Sequence, residues 1–265
     1  MTEAKVQLGI FAGDWMNTAT LSTVFKKTGR NYKNNTGIGS ATFTELAGPR
    51  TNIVTTMGPE SDDCCGVAVQ MEADILMRAC PGIKKMIFVG TVVPAADSGV
   101  RDGDVVVVDG KDGLVWHRQN KDGQLELKRG DYKVGESTQK TIAKMKEVKD
   151  IGQQLATGAR VVAKGMRDSE QYESTAGGGE EASPLVHYGT VSCGDISASP
   201  MVVSDDSKKE FKVLGHMYSM TGFLMSCEKA ECVFILGACS KEYSAYGKAT
   251  SAVYAKLFVD NIEVE

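Results

Sequence analysis

Histidine and tryptophan are scarce in this chain, and long apolar runs are missing altogether. Three histidines (His117, His187, His216) stand far apart, and none of the seven cysteines forms a C-x-x-C pair. The ligand spacing of a zinc site is therefore absent. The acidic pairs Asp62–Asp63 and Asp205–Asp206 lack the spacing of a calcium loop, so neither metal nor cofactor is expected. No apolar run approaches the roughly 20 residues that cross a membrane as a helix. The start, MTEAKVQLGIF, has no charged leader, long apolar stretch or cleavage site of a signal peptide. An intracellular location is the expectation, with an inclusion body or vacuole among the compartments it allows. Positive charge is not in excess either, since 30 basic residues face 34 acidic ones. With no basic stripe and interleaved aromatics, nucleic-acid binding is not expected.

What the chain does have is a composition able to fold. Hydrophobic residues make up 42% of its 265 positions, a length near the upper end for one α/β domain. Residues 6–12 read as an apolar strand ending at Gly13–Asp14, and 18–27 as a helix with Leu21, Val24 and Phe25 on one side. Residues 32–38 are polar and loop-like, 41–46 and 52–56 are short strands, and a helix runs from about Cys64 to Cys80. The continuous apolar run 85–90, KMIFVG, has the pattern of a strand buried on both faces. Residues 91–99 then form a loop and 101–109 an extended return. A hairpin follows, with arms 114–117 and 125–128 and its turn at 120–123. One Lys-rich amphipathic helix is predicted over 137–155. The stretch 164–183, containing Gly177-Gly178-Gly179-Glu180-Glu181, is too polar to pack and reads as a flexible loop. Strands at 186–192 and 232–239 and helices at 219–229 and 249–261 complete the chain. This alternation predicts a single α/β domain over 1–265, with a central mixed β-sheet flanked by helices on both faces.

Three blocks, taken in order, resemble the nucleoside phosphorylase and nucleosidase superfamily. Residues 87–104, IFVGTVVPAADSGVRDGD, with the VVVVD that follows, are similar to that family's VGTAGGL…VKVGDVVV segment. Residues 186–195, VHYGTVSCGD, are similar to its HxGxIASGD. Residues 222–256 resemble its closing helix–strand–helix, down to the final YAK. The strand leading to Gly58 also fits the family's strand and glycine turn. The resemblance implies a purine-nucleoside pocket and an oligomeric protein.

Carried over residue by residue, the implied pocket consists of Asn17, Gly58, Thr91, Val93, Pro94, Gly194, Asp195, Ser219 and Ser240. Asn17 stands where the nucleosidase branch has an acidic residue, with Asp14 nearby but out of register. Val93 and Pro94 replace the paired glycines of the family's loop, which should narrow the cleft. Ser219 replaces the glutamate that grips the ribose hydroxyls. Leu236 and Ser240 replace the arginine and the aspartate that protonates the purine. An amide or an unactivated hydroxyl cannot do a carboxyl group's proton transfer. The expectation is therefore a vestigial pocket with no catalytic residue, in a non-enzymatic structural or storage protein. Its partner would be itself, as a homo-oligomer or larger, even crystalline, array reinforced by disulfides from Cys64, Cys65 and Cys227. Two alternatives stand beside this reading: a nucleoside-cleaving enzyme, nucleosidase or phosphorylase, and a binding module for a nucleobase-like ligand.

Overall fold

A computed structural model describes residues 6–13, 15–36, 39–47, 52–55, 66–109, 112–130, 132, 134–166, 183–194, 203–218, 221–240 and 245–262. The first part of the chain contributes β1 (Val6–Ala12), α1 (Trp15–Val24), β2 (Lys27–Thr36), β3 (Gly39–Ala47), β4 (Asn52–Thr55) and α2 (Gly66–Ala79). The middle contributes β5 (Lys85–Pro94), β6 (Val105–Val108), β7 (Leu114–Gln119), β8 (Leu125–Arg129), α3 (Glu136–Lys146) and α4 (Ile151–Met166). The last part contributes β9 (Val186–Gly194), α5 (Asp205–Glu210), β10 (Val213–Tyr218), α6 (Thr221–Ser226), β11 (Glu231–Ala238) and α7 (Ala245–Asn261).

The strands form one mixed sheet in the order β2-β3-β4-β1-β5-β11-β6-β9-β7-β8, with β10 bonded to both β5 and β9. That extra pairing closes a ring. β5 bonds β11 in parallel, β11 bonds β6 antiparallel, and β6 bonds β9 in parallel. β9 then bonds β10 in parallel, and β10 returns antiparallel to β5 through His216↔Val93 and Gly215↔Pro94. Ring closure leaves these five strands without free edges.

Two apolar layers hold the sheet. On one face, Ile87, Val89, Val105, Val107 and Ile235 pack under α1, α3, α4 and α7. On the other, Phe88, Val92, Val106, Leu236 and Met217 pack with residues of α2 and α6. Alternate residues of one strand serve opposite faces, which explains why β5 and β11 read as continuous apolar runs. Phe11, Phe88, Phe223 and Phe234 form a ring cluster with centroids 5.2–5.8 Å apart. Each such pair adds about 0.5–1.5 kcal/mol beyond the area it buries. α7 is buried on nearly all sides. Its small residues let it lie directly on β11, where a Cβ on Gly237 would come 1.9 Å from the Gly247 carbonyl oxygen.

Four local readings need correction. The polar run 32–38 is not a loop: residues up to Thr36 belong to β2, whose partner is β3. Residues 91–94 continue β5, because pairing with β11 and then β10 carries the strand past Gly90. The single helix expected over 137–155 is two, α3 and α4, parted at Asp150, whose φ of 55° breaks the helical path. α4 in turn includes residues 164–166, so the polar loop starts later than its composition suggests; its residues 167–182 lie outside the described ones.

Candidate functional site

The parallel strands β1, β5 and β11 end together. Ala12 pairs with Val89, Ala238 with Val92, and Gly237 with Val105 at the start of β6. The carboxyl ends of parallel strands are where open α/β sheets bind ligands. At this rim Thr91 and Pro94 are half-buried and Val93 is 40% exposed, while Val92 is turned into the core. The valine that fills the interior is therefore Val92, and Val93 stands on the opposite face, in register with His216.

The turn before β6 places two carboxylates on either side of one glycine. Gly103 has φ +89°, a left-handed conformation that favours glycine. Asp104, 1% exposed, accepts from the Arg101 N–H (3.0 Å), the Leu185 N–H (2.8 Å) and His187 Nε2 (2.9 Å). It ties the starts of β6 and β9 together and gives His187 a structural partner. Asp102 serves the other side. Its Oδ1 accepts the Ser240 N–H at 2.6 Å, and its Oδ2 accepts the Ser240 hydroxyl. The Gly103 N–H donates to the Ala238 carbonyl (2.9 Å) and the Ala238 N–H to that of Asp104 (2.8 Å). The turn is thus clamped onto the end of β11. Asp102 is half-buried and Ser240 exposed, so this pair stays open to solvent at the rim.

A second polar group lies inside. Ser192 Oγ stands 3.0 Å from His117 Nδ1 and 2.5 Å from His216 Nδ1, joining β7, β9 and β10. A hydroxyl has one proton, so it donates to one imidazole and accepts from the N–H of the other. Burial, and then the neighbouring His117, lower the His216 pKa to about 4. Ser192 is wholly buried, so the group lies within the fold, joining three strands. Gly194 permits the approach: a Cβ there would come 2.3 Å from the His117 carbonyl oxygen.

The chain is similar over nearly its whole length to several solved structures. Futalosine hydrolase of Helicobacter pylori matches with 15% identity and a TM-score of 0.60, over 98% of this chain and 100% of that one. A 5′-methylthioadenosine/S-adenosylhomocysteine nucleosidase of Colwellia psychrerythraea, in complex with adenine, matches with 13% identity and a TM-score of 0.61, over 97% and 96%. The corresponding nucleosidase of S. pneumoniae, with a transition-state inhibitor, matches with 15% identity and a TM-score of 0.59, over 97% and 99%. This is a nucleoside phosphorylase-like fold. No protein-family model matches the chain, and no curated protein matches it.

The nucleoside phosphorylase-like scaffold corrects the expectation of a non-enzymatic structural or storage protein. Solved structures that share it over nearly the full chain are, by name, nucleosidases and a futalosine hydrolase. Carboxylates are missing at matching positions along the chain, whereas catalysis requires only that a group arrive in space. Asp102 illustrates the difference, since it brings a carboxylate to Ser240 from 138 residues away. Thr91, Val93, Pro94 and Ser240 come to one rim, while Gly194 closes against β7. Asn17 lies in the first turn of α1 with its side chain outside the described ones, and Gly58, Asp195 and Ser219 lie outside the described residues.

The expected disulfides find no support among the described residues. Cys80, Cys193, Cys227, Cys232 and Cys239 are free and buried, and Cys64 and Cys65 lie outside the described residues. Cys227 in particular cannot reach a second subunit from the interior. A hydrogen bond with Cys232 and burial hold its thiol protonated, whereas the thiolate is the reactive form. Sequence reasoning missed Asp102, although the doubled aspartate of RDGD was the available signal. It also missed the meeting of His117, Ser192 and His216. A cleft of about 540 Å³ runs along α4 beside Asp150, Gln153, Arg160 and Ser183, and none of the predicted site residues lines it. Among the described residues no cluster of His, Cys, Asp and Glu could hold a metal ion, and no helix is long and apolar enough to cross a membrane.

Proposed function

We propose that this protein is a nucleoside-cleaving enzyme of the nucleosidase kind, acting on the N-glycosidic bond of a purine nucleoside at the rim formed by β1, β5, β10 and β11. The observation that carries the reading is the near-complete coverage of both chains in the match to solved nucleosidases, one of them with adenine. The rim supports it: the ends of β5 and β11 and the turn before β6 converge there, with a carboxylate and a hydroxyl open to solvent. On this reading Thr91, Val93, Pro94 and Ser240 would line the nucleoside site.

The test is direct. Purified protein is incubated with methylthioadenosine, S-adenosylhomocysteine, adenosine and inosine, with and without inorganic phosphate, and free base is measured by chromatography. Release without phosphate is the expected result and means hydrolysis. Release that requires phosphate would move the reading to a phosphorylase, and no release from any substrate would refute it.

A further inference from the structure

We propose that His117, Ser192 and His216 form an acid-released latch that holds β10 in the ring, and that its release opens the seam between β10 and β5 while the rest of the sheet stays folded. Ser192 Oγ on β9 lies 2.5 Å from His216 Nδ1 on the closing strand and 3.0 Å from His117 Nδ1 on β7. His216 pairs with Ser192 on one side and with Val93 of β5 on the other, so it sits where the ring shuts. That seam is the shortest join in the ring. β10 meets β9 over five register pairs but meets β5 over two, with one further bond from the Ala95 N–H to the Leu214 carbonyl (3.0 Å). It also depends on a glycine, since a Cβ on Gly215 would come 2.6 Å from the Val93 carbonyl oxygen.

The neutral group is self-consistent: the hydroxyl donates to one imidazole and accepts an N–H from the other. A proton added to the accepting ring makes both rings donors to one oxygen, and the hydroxyl loses its acceptor. A proton added to the donating ring instead leaves a cation in a buried site. Of the neighbouring strands, β5 presents Val93 and Pro94, β9 presents Ser192 and β7 presents His117, so no carboxylate among these residues offsets the charge. Burial, and then His117, accordingly hold the His216 pKa at about 4 against an ordinary 6.5. Opening the seam returns the ring to water. Closure is therefore fully favoured above pH 6.5 and is lost as pH falls toward 4. Because the seam carries Val93 and Pro94, its opening also releases one wall of the rim; that consequence for a substrate rests on the nucleoside-cleaving reading, whereas the latch does not.

The experiment is amide hydrogen exchange on the full chain without ligand, at pH 7.5 and pH 5, corrected for the intrinsic pH dependence of exchange. The Ala95 amide reports the seam and the amides of 233–237 report the ring's centre. In wild type the open-to-closed ratio at the seam should rise roughly 30-fold from pH 7.5 to 5, and Ala95 protection should fall by the same factor. Ala95 should stay less protected than 233–237 at both pH values. In His216→Asn, which cannot titrate, Ala95 protection should be the same at both. Three results overturn the proposal: Ala95 as protected at pH 5 as 233–237, which means that the seam opens only with the whole sheet; wild-type Ala95 protection unchanged between the two pH values; or an equal fall in His216→Asn. If that variant melts too low to measure, wild type decides through the first two results. Nucleoside cleavage enters none of these readouts, so the latch and the nucleosidase reading stand or fall separately.

Discussion

His216 shows what burial does to one ionisable side chain. It lies 3% exposed beside Ser192 and His117, and its pKa falls to about 4 from an ordinary 6.5. The unfolded chain therefore binds a proton between about pH 4 and 6.5 that the folded chain refuses. The stability due to neutral His216 is complete above pH 6.5 and is lost as pH falls toward 4. At roughly 1.4 kcal/mol per pH unit the loss amounts to about 3 kcal/mol. Urea midpoints measured from pH 7.5 down to 4.5 should show this decline. His216→Asn keeps a polar atom near the Nδ1 position but cannot titrate, and its decline should be shallower. Equal slopes for the two proteins would show that His216 is not the titrating group.

Between elements, one polar junction locks α3 to the sheet at the starts of β5 and β11. Lys85 Nζ donates to Ser137 Oγ and lies 3.5 Å from Glu231 Oε2, which also accepts from Thr138 Oγ1 at 3.1 Å. The N-cap residue of α3 is Gly135, which offers no side-chain cap, and a Cβ there would come 1.6 Å from Glu231 Oε1. Glu231 therefore supplies negative charge where the helix dipole is positive, from a neighbouring strand. Glu231→Ala should destabilise the protein by about 2–4 kcal/mol, since it takes a carboxylate from a buried lysine and from a helix start. Denaturant unfolding reads this directly, and a loss under about 0.5 kcal/mol would mean that the junction does not couple α3 to the sheet.

At the scale of the whole molecule, the closed ring separates a protected centre from an exposed flank. β5 and β11 are buried on both faces and paired on both sides, whereas β2 is an end strand, bonded among the described strands to β3 alone. Amide hydrogen exchange should reflect this. Amides of 85–92 and 232–238 should exchange only through global unfolding, and those of β2 should open at much lower free energy. Exchange from β11 as fast as from β2 would contradict the ring as the stable centre.

Much of this architecture was legible in the residues alone. The continuous apolar runs of β5 and β11 declare doubly buried strands, because burial on both faces suppresses alternation. The hairpin of β7 and β8 declares itself through Asn120, whose side chain accepts from the Asp122 and Gln124 N–H groups, and through Gly123 with φ +79°. Such signals are local, since the residues that create them are the residues that obey them. β2 escaped because a polar edge strand is held by its partner rather than by its own pattern. The break at Asp150 escaped because helical periodicity continues in composition across it.

The sequence by itself determined most of the strands and helices, the mixed sheet covered on two faces and the likeness to a nucleoside-handling scaffold, because periodicity and turn chemistry act over short spans. Only the tertiary structure decided that Asp102 meets Ser240 and that Ser192 stands between His117 and His216. Those groups lie on separate strands and loops, and their distances are set by β10 closing the ring and by Gly103 turning the chain. Proton transfer depends on such distances, and so the chemistry was the part least visible in the order of the residues.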